Sequence, residues 1–261
     1  MKISDSLRHE CMPEMIYSIC KLAGSKAYAK DEVKRLITLD SDELQIYNKA
    51  YRFAVECGFI SENADDIVVV NFSKEQLSSF RAFRYAIFMD VFKSGGTIFT
   101  ALAKWYLSQG TDIFTYKSAQ DLAVVIPNDM FSGIEKDYVL GFRFWMATLG
   151  LGMFSKSGGS EILVFATNNI ILDWLTFENP FKKGKPILAR EFFGLLTQSC
   201  PVFSDCVSGN DVNVALSMGL RVLHLNGAVE LKYTTDSGDI WHLSNSISNP
   251  HTNNITEIIV R

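Results

Sequence analysis

The amino-acid sequence predicts an α+β protein that is mostly helical and carries short two-stranded ribbons. Three times along the chain, a helix-like run with an apolar face ends at a glycine and continues into a strand, a polar turn and a second strand. A glycine tolerates the left-handed conformation that closes a last helical turn. Three glycine positions are therefore expected between a helix end and a strand start: Gly58, Gly150 or Gly152, and Gly227.

Shorter helical segments precede each of these helix-to-ribbon patterns. In the first predicted domain, apolar residues at helical spacing predict helices over 11–22, 30–37 and 41–57, and strands follow over 59–60 and 67–70. The second has its helices and strands over 97–107, 118–125, 136–149, 151–154 and 161–165. The third has them over 168–175 or 187–196, then 204–207, 212–225, 228–233 and 240–243. Three side chains late in the last helices are expected to be buried: Phe53, Phe144 and Val222.

A longer helix is predicted to start near Ser73 and to end at Ser94-Gly95-Gly96. We interpret it as a connector. The clearest loop signal is 179–186, where two prolines, a glycine and three lysines occur together. The predicted organisation is a first domain at 1–72, a helical connector at 73–96, a second domain at 97–178, and a third domain with a polar C-terminal tail at 179–261.

Positive charge is concentrated outside the acidic parts of the predicted domains. The chain has a formal net charge of −4, yet 73–120 and 180–192 each hold an excess of basic side chains. Neutralisation of phosphates by Lys and Arg supplies most non-specific affinity for nucleic acid. Any contact with a nucleic-acid backbone is therefore expected in these segments, unless their cations are ordinary solvated helix faces.

The sequence indicates a protein of a reducing compartment. It has no run of roughly 18 uncharged apolar residues that would span a bilayer, and charged residues interrupt 1–18, unlike a signal peptide. The five cysteines are scattered, and several lie in helix-like segments as small apolar side chains. We therefore expect a cytoplasmic location.

Helices that lead into a two-stranded ribbon resemble winged-helix domains, over most of the chain. In that family the third helix commonly enters the DNA major groove, and the ribbon, or wing, contacts the backbone. The resemblance implies contacts from cations on the three last helices: Lys49, Arg52, Lys136, Arg143 and Arg221. The first and third wings depart from the family because they carry acids that would repel phosphate: Glu62, Asp65, Asp66, Asp236 and Asp239. Only the second wing, 155–160 with Lys156, suits a backbone contact.

Two further resemblances concern partners. The Ser4-Asp5-Ser6-Leu7 stretch that opens the first winged helix is similar to that of accessory subunits of bacterial phage-defence islands, such as the DpdG type. Tandem winged helices with acidic faces also resemble the kleisin-binding subunits of bacterial condensin-type complexes. These resemblances imply a larger protein partner, such as a helicase, a nuclease or an ATPase, and no membrane.

No complete catalytic or metal-binding pattern is present in the sequence. The four histidines are separated, and none has the i, i+4 spacing of a helical zinc pair. Glu230-Leu-Lys232 on a predicted strand places an acid and a lysine on one face, as in restriction-type nucleases that hold Mg²⁺. Those enzymes also need an aspartate on the neighbouring strand. The candidates, Asp205 and Asp211, are separated from the strand of Glu230 and Lys232 by a predicted helix. We therefore expect no enzymatic activity, cofactor or metal.

The sequence favours a non-enzymatic accessory or adaptor subunit of a bacterial DNA-associated complex, with anti-phage defence as its setting. Such a subunit would bind a protein partner and contact double-stranded DNA without sequence preference. A condensin-type scaffold subunit and a site-specific transcription regulator are the alternatives. The cations expected to contact nucleic acid are Arg81, Arg84, Lys136, Arg143, Lys156, Lys182, Lys183 and Lys185.

Overall fold

A computed structural model describes residues 1–38, 43–128, 131, 134–157, 159–235 and 238–261. It confirms an α+β protein that is mostly helical. The helices are α1 Pro13–Ala23, α2 Lys30–Ile37, α3 Glu43–Glu56, α4 Phe80–Ser94, α5 Ile98–Ser108, α6 Ala119–Val125, α7 Lys136–Thr148, α8 Asn168–Phe177, α9 Ala189–Ser199 and α10 Val214–Leu225. The strands are β1 Ile60–Glu62, β2 Val68–Val70, β3 Gly152–Ser157, β4 Ser160–Phe165, β5 Pro186–Leu188, β6 Val207–Ser208, β7 Asp211–Val212, β8 Val229–Lys232, β9 Trp241–Leu243, β10 Asn254–Ile255 and β11 Glu257–Val260.

The chain forms two compact units. Unit 1 contains Met1–Ala101 and Ser118–Leu149, and unit 2 contains Leu102–Lys117 and Gly150–Arg261. This grouping differs from the division predicted from the sequence, because α4, the expected connector, packs within unit 1 through Phe83. The ring of Phe83 lies 5.1 Å from that of Tyr17 and 4.9 Å from that of Phe72.

The three helix-ending glycines lie where the sequence predicts them. Gly58, Gly150 and Gly227 have φ of 72°, 76° and 72°, and each lies between a helix end and a strand start. After α3, the amide of Phe59 donates to the carbonyl of Ala54 at 2.8 Å. This hydrogen bond closes the last turn of α3. A side chain at Gly58 would strain the left-handed backbone at that position.

The first ribbon forms as predicted, and a third segment of the chain pairs with one of its edges. β1 and β2 pair antiparallel with Ser61 opposite Val69. Ala29, just before α2, forms an antiparallel bridge to Ile67, and the amide of Val68 donates to the carbonyl of Tyr28 at 2.9 Å. The last strand of the ribbon therefore lies between the segment that precedes α2 and the strand that follows α3.

The second ribbon, β3 with β4, also pairs antiparallel as predicted, with Phe154 opposite Leu163. Tyr106 on α5 donates its hydroxyl to the carbonyl of Leu163 at 2.5 Å. The tip of this ribbon includes residue 158, which lies outside the described residues.

The third ribbon was predicted with the wrong partner strand. β8 pairs antiparallel with β11, which in turn pairs with β5. β9, the expected partner, lies between β10 and β7 in a separate four-stranded sheet, so both of its edges are occupied. The reason is the apolar run of Ile258, Ile259 and Val260, which is buried and takes the central position of its sheet.

The expected polar tail folds against α10 within unit 2. It contains a 3₁₀ turn at Pro250–Thr252 and the strand β10, and the side chain of Thr252 is buried. The sheet order β5–β11–β8 thus resembles the order in unit 1. In each case the last strand lies between the segment before the second helix, which is Ala29 in unit 1 and β5 in unit 2, and the strand after the third helix.

The predicted buried faces of the third helices are partly wrong. Phe53 is buried, but Phe144 and Val222 are half-buried, and their neighbours Trp145 and Leu223 are the enclosed side chains. Trp145 packs against the rings of Phe53 and Phe59 in the core of unit 1. Helical periodicity indicates one apolar face. When a helix is covered on several sides, this pattern does not tell which of two neighbouring side chains is fully buried.

Candidate nucleic-acid interface

The N-terminal segment covers α7, the third helix of the second predicted domain. A side-chain carbon on Gly141 would lie 2.7 Å from the carbonyl oxygen of Arg8, so the segment crosses the helix at van der Waals distance. The indole of Trp145 donates to the carbonyl of Cys11 at 3.0 Å. At the start of α7 only Lys136 and Asp137 are exposed. This covered helix cannot lie in a DNA groove.

The third helix of unit 2, α10, is covered in a different way. Arg221 donates its Nε to the hydroxyl of Thr252 at 2.8 Å, and Nη2 donates to the carbonyl of Ser244 at 2.5 Å and to Oδ1 of Asn253 at 2.9 Å. Burial lowers the pKa of this guanidinium. The cation that the family resemblance assigned to DNA therefore binds the segment between β9 and β11 inside the protein.

Helix α3, the third helix of the first predicted domain, differs from α7 and α10 because it has an exposed stripe. Its exposed side chains recur at helical spacing: Gln45, Asn48, Lys49, Arg52 and Val55. Both cations have acidic partners, because Lys49 is ion-paired with Glu10, and Nε of Arg52 lies 2.9 Å from Oε1 of Glu56. Amide and basic side chains of this kind can read base edges, and the paired carboxylates reduce their attraction for phosphate.

A cleft of about 510 Å³ lies beside this stripe. Its lining comes from the start of α2, the middle of α3 and the end of β1 and includes Lys30, Lys34, Tyr47, Tyr51 and Glu62. Nζ of Lys30 lies 2.9 Å from Oε1 of Glu62 and 5.1 Å from the ring centre of Tyr51. Burial, followed by nearby carboxylates, raises the pKa of both tyrosines, so their hydroxyls stay protonated.

The spacing of apolar residues over 41–57 does not predict this cleft. Tyr47 and Tyr51 lie on the apolar face of α3, and both rings are buried, with centroids 5.7 Å apart. The available signal was that two tyrosines, which carry polar hydroxyls, stand at i, i+4 among apolar residues. A buried tyrosine hydroxyl usually has a hydrogen-bond partner.

The lysine loop Lys182, Lys183 and Lys185 is exposed in unit 2, as the sequence indicates. The amide of Gly184, at φ 76°, donates to the carbonyl of Val260 at 2.8 Å, and the amide of Lys185 donates to the carbonyl of Lys182 at 3.3 Å. These backbone bonds hold the loop against the last strand, so three cations project from one fixed turn. The arrangement suits a phosphate backbone.

The other predicted contact residues are dispersed. Lys136 in unit 1 and Lys156 in unit 2 are exposed, whereas Arg81 and Arg84 on α4 are half-buried and engaged in interactions. Arg143 is only 6% exposed, so little of its side chain could meet a phosphate, and its contact with nucleic acid stays a prediction. Of the acidic wing residues, Asp236 lies outside the described residues.

In the described part of the chain, no cluster of three or more His, Cys, Asp or Glu side chains could hold a metal ion. Glu230 is ion-paired with Arg261 and lies 3.9 Å from Nζ of Lys232. All five cysteines are buried, and burial raises the pKa of Cys11 to about 11 and that of Cys20 to about 12. These thiols are therefore protonated near neutral pH.

Among the described residues, no single helix is long and apolar enough to cross a membrane; α4 and α5 reach that length and composition only together, with a bend of 96° between them. Comparison with protein-family models, with curated proteins and with solved structures found no match to this chain.

Proposed function

We propose that this protein is a non-enzymatic adaptor built on winged-helix-like domains, which binds a protein partner and contacts duplex DNA through phosphates alone. The burial of α7 and α10 carries the proposal, because it leaves α3 as the one third helix with an exposed stripe among the described residues, and both cations of that stripe are paired with carboxylates. A phage-defence complex as its setting is supported by the sequence resemblance alone.

The winged-helix part of the proposal covers residues 13–70 and 168–260. In both stretches the strand that precedes the second helix and the strand that follows the third helix flank a common last strand. In the second stretch the wing is enlarged to hold β9, β10 and a 3₁₀ turn. That enlarged wing binds α10 through Arg221, which converts a DNA-reading element into a packed core element.

The DNA contact is assigned to the lysine loop. Its three cations project from one turn, while the exposed cations of α3 have carboxylate partners. Phosphate contacts carry no sequence information. The adaptor is therefore expected to bind any duplex with similar affinity, and its partner is expected to supply sequence or substrate choice.

We predict that Lys182→Glu, Lys183→Glu and Lys185→Glu together weaken binding to every duplex alike. Loss of three phosphate contacts should flatten the slope of log K against log salt by about 0.9 per contact. Fluorescence anisotropy on several unrelated duplexes at a series of salt concentrations measures both effects. The matched control is the triple substitution of Lys2, Lys93 and Lys117 by Glu, because these lysines are also exposed and the change in net charge is identical.

A site-specific transcription regulator is the second candidate, and the exposed stripe of α3 favours it. Gln45, Asn48 and Arg52 have side chains that can read bases. Tight, sequence-selective binding that survives the lysine-loop triple substitution but not Asn48→Ala would support the regulator and contradict the adaptor. Equal binding by the control triple and the lysine-loop triple would contradict the assignment of the DNA contact.

A further inference from the structure

The α2–α3–β1 cleft holds a polar group without a protein partner. The hydroxyl of Tyr47 is buried and has no hydrogen-bond partner among the described residues, and the whole side chain is only 2% exposed. The neighbouring Tyr51 differs, because its hydroxyl donates to Oε1 of Glu62 at 3.1 Å. An unsatisfied buried hydroxyl costs stability, so a group that bonds it from within the cleft gains that free energy.

The balanced charges of the cleft disfavour a phosphate group inside it. Lys30, Lys34 and Arg52 line it together with Asp31, Glu56 and Glu62, so cations and carboxylates balance. Lys30 is already ion-paired with Glu62, and Arg52 with Glu56. A phosphate or sulfate would meet as much negative as positive charge. The occupant is expected to be uncharged.

The remaining lining groups favour a planar heteroaromatic molecule. The guanidinium plane of Arg52 offers a surface for stacking, and the exposed amide of Asn48 offers both a donor and an acceptor. Nucleobases combine a π face with donors and acceptors on their edges, and proteins bind them by stacking on aromatic and Arg planes. The volume of about 510 Å³ lies within the range of small-molecule sites.

We propose that this cleft binds a nucleobase, with Tyr47 and Asn48 bonding its edge. The base comes either from a free nucleoside or from single-stranded nucleic acid. This inference goes beyond the proposed function, because it concerns unpaired bases and does not depend on the lysine loop. The two can therefore fail separately.

Adenosine, a single-stranded 12-mer of deoxyadenosine and a 12-mer of abasic sites are the probes, titrated by isothermal calorimetry into the full chain. We expect saturable binding of adenosine that changes little between low and high salt, because neither the ligand nor the cleft has net charge. Preference for the deoxyadenosine 12-mer over both adenosine and the abasic 12-mer identifies single strands as the source. Equal affinity per base identifies the nucleoside.

Tyr47→Phe and Asn48→Ala should each weaken adenosine binding by about tenfold. Gln45→Ala is the matched control, because this exposed side chain lies on the same helix outside the cleft lining, and it should leave the affinity unchanged. The lysine-loop triple substitution should also leave adenosine binding unchanged.

Tyr47→Phe should keep or raise the melting temperature of the wild type, because it removes a buried hydroxyl that has no protein partner among the described residues. A fall of several degrees would show that the hydroxyl is bonded inside the protein and would overturn the proposal. Absence of saturable adenosine binding together with equal binding of the two 12-mers would overturn it as well. Tighter binding of N-acetyl-tyrosinamide than of adenosine would assign the cleft to a peptide side chain instead.

Discussion

At the scale of one residue, Arg221 was expected to contact DNA, and the structure places it among buried groups of unit 2. It lies on α10, is 9% exposed, and donates hydrogen bonds to the side chain of Thr252, the carbonyl of Ser244 and the amide oxygen of Asn253. The rigid planar fork of a guanidinium offers five donors in a fixed geometry, whereas a lysine has three donors at a single nitrogen. This one side chain therefore holds the enlarged wing against the helix.

We predict that Arg221→Ala lowers the free energy of unfolding by about 2 to 4 kcal/mol, because buried acceptors lose their donor. Arg221→Lys should recover only part of the loss. Urea unfolding followed by tryptophan fluorescence reports the change, since Trp241 lies in the sheet beside these acceptors. Arg35→Ala, at an exposed position of α2, serves as the control and should stay within about 0.5 kcal/mol of wild type. A loss of that small size for Arg221→Ala would show that the hydrogen bonds do not stabilise the wing.

At the scale of elements, α7 and α10 share a property that separates them from α3. Each contains a glycine where another segment crosses at van der Waals distance. A side-chain carbon on Gly141 would lie 2.8 Å from Cγ of Leu7, and one on Gly219 would lie 2.8 Å from the amide nitrogen of Asn168. In both helices the close approach places another segment of the chain over one face of the helix.

We predict that the face of α7 that carries Trp145 is more important for stability than the face that carries Phe144. Trp145→Ala should cost about 3 to 5 kcal/mol, because it empties a fully enclosed site between Phe53 and Phe59 and removes the hydrogen bond to Cys11. Phe144→Ala should cost clearly less, because Phe144 is half-buried. Thermal unfolding of the two variants makes the comparison. A larger loss for Phe144→Ala would reverse the assignment of the two faces.

At the scale of the whole molecule, several surface carboxylates form hydrogen bonds and ion pairs that stabilise the folded chain. Their negative charge also disfavours the binding of nucleic acid. In unit 1, Glu56 accepts hydrogen bonds from the hydroxyls of Ser6 and Ser4 and from Arg52, and these lower the pKa of its carboxyl. A hydrogen bond from Lys30 likewise lowers the pKa of Glu62. In unit 2, the contact with Arg261 lowers the pKa of Glu230. Several paired carboxylates thus stabilise the folded chain in their ionised form.

These lowered pKa values predict an acid-sensitive fold. A carboxyl whose pKa is lower in the folded than in the unfolded protein contributes its full stability above the ordinary value near 4.5, and the contribution is lost as pH falls through the lower folded pKa. Unfolding free energy measured between pH 7 and pH 3 should therefore be level at first and then fall below about pH 4.5. Glu56→Gln should be less stable than wild type at pH 7, and the difference should shrink at pH 3. A difference that stays constant with pH would contradict the role of the ionised carboxyl.

Short stretches of the sequence are enough to predict most of the local structure. The spacing of apolar residues located most helices, and the glycines after α3, α7 and α10 marked their ends, because helix periodicity and left-handed backbone are properties of neighbouring residues. The proline, glycine and lysine run at 179–186 likewise indicated an exposed basic loop. These features depend on short stretches of chain, and the structure places them as expected.

Which surfaces remain open depends on tertiary packing. β11 rather than β9 pairs with β8, Arg143 and Arg221 are buried, and Tyr47 lines a cleft formed by three elements. Each depends on segments far apart in sequence, such as Arg8 over Gly141 or Thr252 beside Arg221. A pattern of apolar positions records that a side chain prefers burial, but it does not record which partner buries it. The physical reason is that strand pairing and helix coverage are set by competition among distant segments for the same apolar surface.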